Sequence, residues 1–560
     1  MTTPATPQTP VRRTVGLSRT AAGGVLPSAR ERAAGWSRRE DPVVGWSASI
    51  GVALFALFLR LWHLGTPREF EFDETYYAKD AWSLLHFGYV REYVGKANEK
   101  ILDGTVTGVW KDSPSMIVHP EVGKWLIALG EQAFGMTPFG WRISAAVAGS
   151  LMVLVMCRLA QRLTGSTLLG CVAGLLLSLD GLQLVLSRLA LLDIFLALFV
   201  LCGVSCIVND RFWHRARLAR LVPGPITDER AWGPVRAVLF RPWLLAGGVC
   251  WGLALGTKWT AIYPLAAFGL LSWAWSAGAR RSFGVRWPVL KSAVADGLPS
   301  FVHLVLVAFL VYVASWTGWL VHAEEYETHL SATQYTHYEG GKDWPTRTEE
   351  DASGLGEVVQ SLRSLAYYHR DVFMFHSHFL NDSEHTYESK PSGWLLLNRP
   401  VGVSADVDIK PGNQGCRAPE GSDCLRQVLL LGTPAIWWGG ILALLYAGVA
   451  WLGGRDWRFG VAAVGATTTW LPWLAFDDRP IFLFYAVLTL PFLVLALTLA
   501  MGKLIGPSPA PTPRRTTGVV FAGSFLVLVL MNFAWFWPIW TDQLLTHSEW
   551  LKRIWFDRWI

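Results

Sequence analysis

The feature that most constrains this chain is a succession of apolar stretches, each close to the length that crosses a bilayer. A hydrocarbon core of about 30 Å takes roughly 20 apolar residues as helix. Backbone polar groups at that depth must bond within their own segment, which favours helices. Eleven candidate spans can be drawn: Val44 to Leu64, Trp141 to Leu159, Leu168 to Leu186, Leu189 to Val208, Trp243 to Leu255, Trp259 to Trp275, Ala293 to Trp316, Val428 to Leu452, Phe459 to Leu474, Ile481 to Met501 and Val519 to Trp540. Trp125 to Phe134 reads as an interfacial helix. The expected fold class is an all-α polytopic membrane protein with about 11 transmembrane helices. Composition agrees: 52% hydrophobic residues, 16% charged, 31 tryptophans and a mean hydropathy of +0.31 argue against a string of soluble domains.

The basic residues give these spans a direction. Arginines crowd the first forty residues, the loop from Arg211 to Arg241, the loop from Arg280 to Lys291, and the linker holding Arg514 and Arg515. With eleven spans all four fall on one side, the cytoplasmic one by the positive-inside rule. Residues 1–43 then form a cytoplasmic tail, rich in Ala, Thr, Pro and Arg, that reads as disordered with no cleavable signal. Residues 44–560 form the membrane domain, with outer loops at 65–140 and 318–427. Residues 541–560 read as an amphipathic helix on the outer face. The net charge of +6 sits in short loops and reads as topology, not nucleic-acid affinity. Of the seven cysteines, Cys416 and Cys424 share a polar loop on the outer side, where a short disulfide is expected.

The residues that could carry chemistry gather at the outer ends of spans. Asp73 and Glu74 are adjacent, so their carboxylates point in different directions, one toward a substrate and one toward a neighbour. A carboxylate desolvated near the bilayer gains basicity and suits a general base. His119-Pro120-Glu121 opens a helix that carries Lys124 one turn in, where an ammonium can hold a lipid phosphate or simply snorkel. Arg142 and Lys258 sit at outer span ends. Arg188 either contacts a phosphate or pairs with Asp193. The outer loop is dense in polar aromatics, including His369, His376, His385, Tyr387 and Ser389. Rings and hydroxyls together suit sugar recognition, and packing on the membrane face is the alternative. The histidines lack the helical spacing of a zinc protease, so no metal site is expected. There is no Gly-Lys-Ser/Thr phosphate loop, dinucleotide fingerprint or Gly-x-Ser-x-Gly elbow. A transporter would place charges near mid-bilayer in repeated halves, and no repeat is visible.

In their order along the chain these segments resemble the protein O-mannosyltransferases, in particular the bacterial branch. The resemblance rests on Phe72-Asp73-Glu74-Thr75-Tyr76-Tyr77, Val118-His119-Pro120-Glu121-Val122-Gly123-Lys124, Ser187-Arg188 through Leu192-Asp193, Gly256-Thr257-Lys258-Trp259, the run from Tyr368-His369 to Arg399-Pro400, and Trp555-Phe556-Asp557-Arg558-Trp559-Ile560. His-Pro-Glu stands here for the commoner His-Pro-Pro, and Gly432-Thr433-Pro434 for Gly-Asn-Pro. The resemblance implies a membrane-embedded C-type (GT-C) glycosyltransferase in a bacterial plasma membrane, with its active site outside the cell. It implies a polyprenyl-phosphate mannose donor, Ser or Thr acceptors on secreted or membrane proteins, and inversion at the sugar. Asp73 would be the base, Glu74 and His119 would shape the site, and Lys124, Arg142 and Arg188 would meet the phosphate, with Lys258 nearby. No cofactor is required on this reading; a divalent metal and coupling to export machinery are left open. A related lipid-linked sugar transferase acting on a lipid or glycan is the nearest alternative.

Overall fold

The computed structural model describes residues 41–222, 224–331, 343–506 and 512–560, so the tail expected at 1–43 lies almost wholly outside the described residues. Helix α1, Pro42–Leu61, starts cleanly because Asp41 accepts a hydrogen bond from the Val43 N–H and Pro42 needs no donor of its own. The next helices are α2 (Glu74–Phe87), α3 (Val122–Phe134), α4 (Pro138–Thr164), α5 (Asp193–Leu221) and α6 (Pro242–Leu255). The long loop before the C-terminal spans adds α7 (Leu355–Ser377), and the C-terminal third adds α8 (Pro434–Leu452) and α9 (Pro513–Trp540). Between α2 and α3 lies a small hairpin of β1 (Arg91–Tyr93) and β2 (Trp110–Pro114). A second sheet has the order β3-β4-β5, from β3 (Val401–Ile409), β4 (Cys424–Leu430) and β5 (Leu545–Thr546), all antiparallel.

Among the described residues six helices are long and apolar enough to cross a membrane: α1, α4, α5, Pro288–Ala314, α8 and α9. Their burial sorts them. The apolar windows of α5 and α4 are 72% and 61% buried, whereas those of α1 and Pro288–Ala314 are each 17% buried. The first pair is the protein interior; the second turns apolar side chains outward, as a lipid-facing helix must. Pro299 sits within Pro288–Ala314, and the helix widens into π turns at Ala293–Gly297 and Val302–Leu306.

Every span drawn from the sequence meets helix, but several are not continuous. The stretch 168–186 divides into Thr167–Ser178 and Gly181–Leu186. The cause is Asp180, fully buried, whose carboxylate accepts from the N–H of Gln183 (3.0 Å), the N–H of Thr433 (3.0 Å) and the indole of Trp437 (2.8 Å). Thr433 returns a hydroxyl bond of 2.7 Å to the Leu179 carbonyl. Residues 250 positions apart are thereby knotted at the break. The start of the stretch 428–452 is strand, not helix: Val428 lies on β4, paired with Ser404. Ile481 to Met501 opens with the 3-10 turn Leu483–Leu488 before the helix Leu490–Ile505. The final segment is not one amphipathic helix either. It comprises β5, the short helix His547–Leu551 with a Thr546/Glu549 capping box, and the 3-10 turn Asp557–Trp559. The expected bridge between Cys416 and Cys424 is present, with Cα atoms 5.7 Å apart. It closes the turn between β3 and β4.

Candidate active site

The loop from α1 to α2 carries the adjacent acids, and it is built around one arginine. Arg142, in the second turn of α4 and fully buried, engages all five of its N–H groups. Its Nε and Nη2 donate to the two carboxylate oxygens of Glu74 at 2.9 and 2.8 Å. Its remaining bonds go to the carbonyls of Leu64 (3.4 Å), Pro67 (2.7 Å) and Glu69 (2.9 Å). Glu74 in turn accepts the N–H of Glu71 (3.0 Å) and of Ala190 (2.8 Å). Glu74 and Arg142 therefore shape the loop and leave no donor of Arg142 for a phosphate. Arg188 is likewise occupied: its Nη groups donate to the carbonyls of Leu59, Arg60, Trp62 and His63, closing the C-terminus of α1. It does not pair with Asp193.

Asp73 points the other way. It stands at the start of α2 but makes no capping bond, which leaves its carboxylate to accept the Tyr77 hydroxyl at 3.3 Å. The residue before it, Phe72, has φ of 51°, a left-handed conformation unusual for an aromatic side chain. Its ring is wedged against Phe482 and Phe484 at 5.4 and 5.7 Å, which holds the strained turn in place. Burial pushes the Asp73 carboxyl up to about 6; the Lys258 ammonium pulls it down, and the Asp193 carboxylate pushes it up again.

Around Asp73 the structure gathers a ring of charged and aromatic groups. Lys258 and Asp193 form a buried pair at 2.8 Å, with the ammonium 4.9 Å from the centroid of the Tyr485 ring. Lys124 pairs with Asp80 at 2.9 Å, one turn further along α2 beyond Tyr77. His119 stacks on His376, with centroids 5.5 Å apart. His376 accepts at Nδ1 from Arg479 (2.7 Å), so its N–H is at Nε2, which faces the Val118 carbonyl at 3.3 Å. Burial and then the Arg479 charge hold His376 down to about 4. Burial first, then Lys258, depresses His119 well below the usual imidazole range. Both rings are neutral at physiological pH. His369 belongs to a second relay: the Trp259 indole donates to the Tyr312 oxygen (2.8 Å), whose O–H donates to His369 Nε2 (2.5 Å), while Nδ1–H reaches the Leu365 carbonyl (2.7 Å). Trp259 stacks on His369 and touches His376 edge-on, which joins the two groups.

Three residues of the polar aromatic loop take other places. His385 is exposed and its ring packs on Phe482 at 4.9 Å. Tyr387 donates its backbone N–H to His385 Nδ1 (3.1 Å). Ser389 is buried, bonded from its N–H to the Ile481 carbonyl (2.8 Å) and accepting the Trp394 indole (2.8 Å). They brace the segment carrying Phe482 and Tyr485. The sequence reading passed over Arg479, Tyr485 and Tyr77. The signal for Arg479 was available: a short charged turn, Asp477-Asp478-Arg479, between two apolar stretches. The departure at Glu121 is a buried acid that burial raises to about 8, so it is carried uncharged. Among the described residues no group of His, Cys, Asp and Glu could hold a metal ion.

This arrangement offers a base of raised pKa beside one paired cation, Lys258, with a second, Arg479, that is hydrogen-bonded to His376 and acts with Asp73 on the same Tyr485. It can deprotonate an alcohol and stabilise a departing anion. A family model described as dolichyl-phosphate-mannose-protein mannosyltransferase matches residues 50–221. One described as the C-terminal four TMM region of protein-O-mannosyltransferase matches residues 362–559. A polyprenol-phosphate-mannose–protein mannosyltransferase of Mycolicibacterium smegmatis is 35% identical over 525 residues, 93% of this chain and 94% of the relative. Its counterpart in Mycobacterium tuberculosis is 34% identical over 528 residues, 93% and 92% of the two chains. The solved S. cerevisiae Pmt1-Pmt2 complex bound to the sugar donor is similar in fold, with a TM-score of 0.66 at 14% identity, over 95% of this chain and 94% of that one. The architecture is thus that of a membrane-embedded GT-C glycosyltransferase, and the chain belongs to the protein O-mannosyltransferase family.

Proposed function

We propose that this protein transfers mannose from polyprenyl-phosphate mannose to Ser or Thr hydroxyls of proteins, with inversion at the sugar. The observation that carries the mechanism is the Asp73 carboxyl, raised to about 6 by burial and set beside the Lys258–Asp193 pair. Asp73 takes the hydroxyl proton as the oxygen bonds to C1 of the mannose. The bond from C1 to the phosphate oxygen breaks, and polyprenyl phosphate leaves with the electron pair. Lys258 and Arg479 are the cations that meet this developing charge, with Lys124 held behind them by Asp80. Arg142 and Arg188 act through the backbone they hold, which sets the position of Asp73. The residues at the site supply base and cations without a metal.

The site sits on the side opposite the Arg-rich loops, which supports an extracytoplasmic active site in the plasma membrane with the N-terminus in the cytoplasm. Acceptors would be secreted or membrane proteins, met during or after export, which makes the export machinery a natural neighbour. The test is direct. Purified protein in detergent is incubated with polyprenyl-phosphate mannose and a Thr-rich peptide, and the peptide mass is measured. A gain of one hexose is expected, falling by roughly a hundred- to ten-thousandfold in Asp73→Asn. A lipid or glycan acceptor used in preference to the peptide would overturn the reading.

A further inference from the structure

The outer sheet reaches the catalytic loop and then runs away from it. Ser404 on β3 lies beside the Glu71 carboxyl, two residues before Asp73. β3 is an edge strand, exposed from Ala405 to Asp408 and buried again at Ile409. There Ala405 and Val407 of β3, with Gln427 of β4, floor a cleft of about 480 Å³. Val407 is 57% exposed, an apolar side chain on a sheet face with nothing over it. Three groups stand at the rim: Asp408, His547 and Trp550.

Two details mark this as a built site. The pairing of β3 with β4 slips between Asp406 and Ile409, and Asp408 at that bulge has φ of 60°. A bulge re-aims a side chain, and a left-handed aspartate is a local strain that regular pairing would have avoided. The Asp408 side chain makes no hydrogen bond among the described residues, whereas Asp423 across the cleft is tied to Lys410 at 2.9 Å; the same ammonium acts on Asp408 through space only. The Trp550 ring is fixed as well: its indole N–H donates to Gln427 Oε1 at 2.7 Å, and its ring lies 5.6 Å from that of His547. An immobilised indole beside a carboxylate is suited to a hexose, whose C–H face packs on the ring and whose hydroxyls bond the acid.

We infer that this cleft holds a mannosyl residue already attached to the acceptor polypeptide, so that a modified stretch anchors the chain while a nearby hydroxyl reacts. The inference rests on the mannosyltransferase reading. Three strand positions separate Ser404 from Val407, roughly 10 Å at the rise of a strand. With the turn from Glu71 to Asp73 added, a sugar carried roughly four to six residues from the reacting Thr spans that distance. The cleft serves binding and takes no part in bond making.

Two peptides test it with the full-length protein: one with a single free Thr, and the same peptide with mannosyl-Thr roughly five residues away. The wild type should show a KM lower by on the order of tenfold for the second peptide, the ratio that 1.4 kcal/mol of added binding gives. Asp408→Asn and Trp550→Ala should each bring the ratio of the two KM values close to one. Equal KM values in the wild type, or a ratio kept by both variants, would overturn the inference. So would a rise in the KM for the lipid donor alone, which would assign the cleft to the donor. Direct binding of the mannosylated peptide by equilibrium dialysis, in wild type and Asp408→Asn, stands apart from turnover. Loss of transfer to both peptides with this binding intact would count against the transferase reading and not against the cleft.

Discussion

Glu74 and Arg142 meet through two hydrogen bonds of 2.9 and 2.8 Å, both side chains fully buried, and every other donor of the guanidinium holds a carbonyl of the preceding loop. The pair is thus a frame for the loop that presents Asp73. Removing one partner leaves a buried charge without its counter-ion, which costs about 3–5 kcal/mol. Glu74→Gln and Arg142→Met should both lower the thermal midpoint in detergent and abolish transfer. Asp73→Asn should abolish transfer with no such loss. A normal melting curve for Arg142→Met would show that the frame is dispensable.

The pH profile should carry the signature of Asp73. Its basic form is required, and burial sets the carboxyl near 6, so kcat/KM should fall as pH drops through about 6. The stability linkage has the opposite sense to that of a salt-bridged acid. The folded state binds this proton more tightly than the unfolded chain, whose carboxyl titrates at the ordinary 3.8. The contribution is therefore present at low pH and is lost as pH rises from about 3.8 through 6. Asp73→Asn should remove this decline; melting curves across that range check it.

Lys258 and Asp193 act on Asp73 with opposite signs. Lys258→Met should move the acid limb of the rate profile to higher pH, and Asp193→Asn should move it to lower pH. Two shifts in the same direction would reject the geometry in which both groups face Asp73.

Arg479→Ala should raise the KM for the lipid donor by roughly ten- to a hundredfold, the value of a hydrogen bond to a charged group. Arg479→Lys should recover part of it. Because the Arg479 charge contributes to keeping His376 at about 4, the alanine variant should also move that imidazole upward, visible in a histidine NMR titration.

Arg188→Ala should behave differently. It uncaps the last carbonyls of α1 and should cost up to about 2 kcal/mol of stability. The donor KM should stay within a factor of two to three, since the guanidinium faces backbone.

Much of this molecule was legible in its sequence, for identifiable reasons. Spans follow from length and hydropathy, and each apolar stretch meets helix. The breaks do not follow, because Asp180 ends a helix by reaching Thr433 and Trp437, partners that spacing cannot reveal. The run at Val428 is apolar and short, and periodicity alone does not separate a buried strand from a helix start. At the site, Asp73, His119, Lys258 and His376 were visible as polar groups at outer span ends, and the structure brings them together. Arg142 and Arg188 looked equivalent to Lys258, but Arg142 spends its donors on Glu74 and three main-chain carbonyls and Arg188 on main-chain carbonyls, and carbonyls carry no sequence signal. Arg479 carried a signal, its place in the charged turn Asp477-Asp478-Arg479, but that turn reads first as a connection between spans.

The buried link from Asp180 to Thr433 has a consequence for where the chain can be cut. It joins the stretch matched at 50–221 to the stretch matched at 362–559 through four hydrogen bonds that need no continuous backbone between them. The two portions carry the halves of a non-covalent clasp, so a cut in the backbone between them leaves both partners of all four bonds in place.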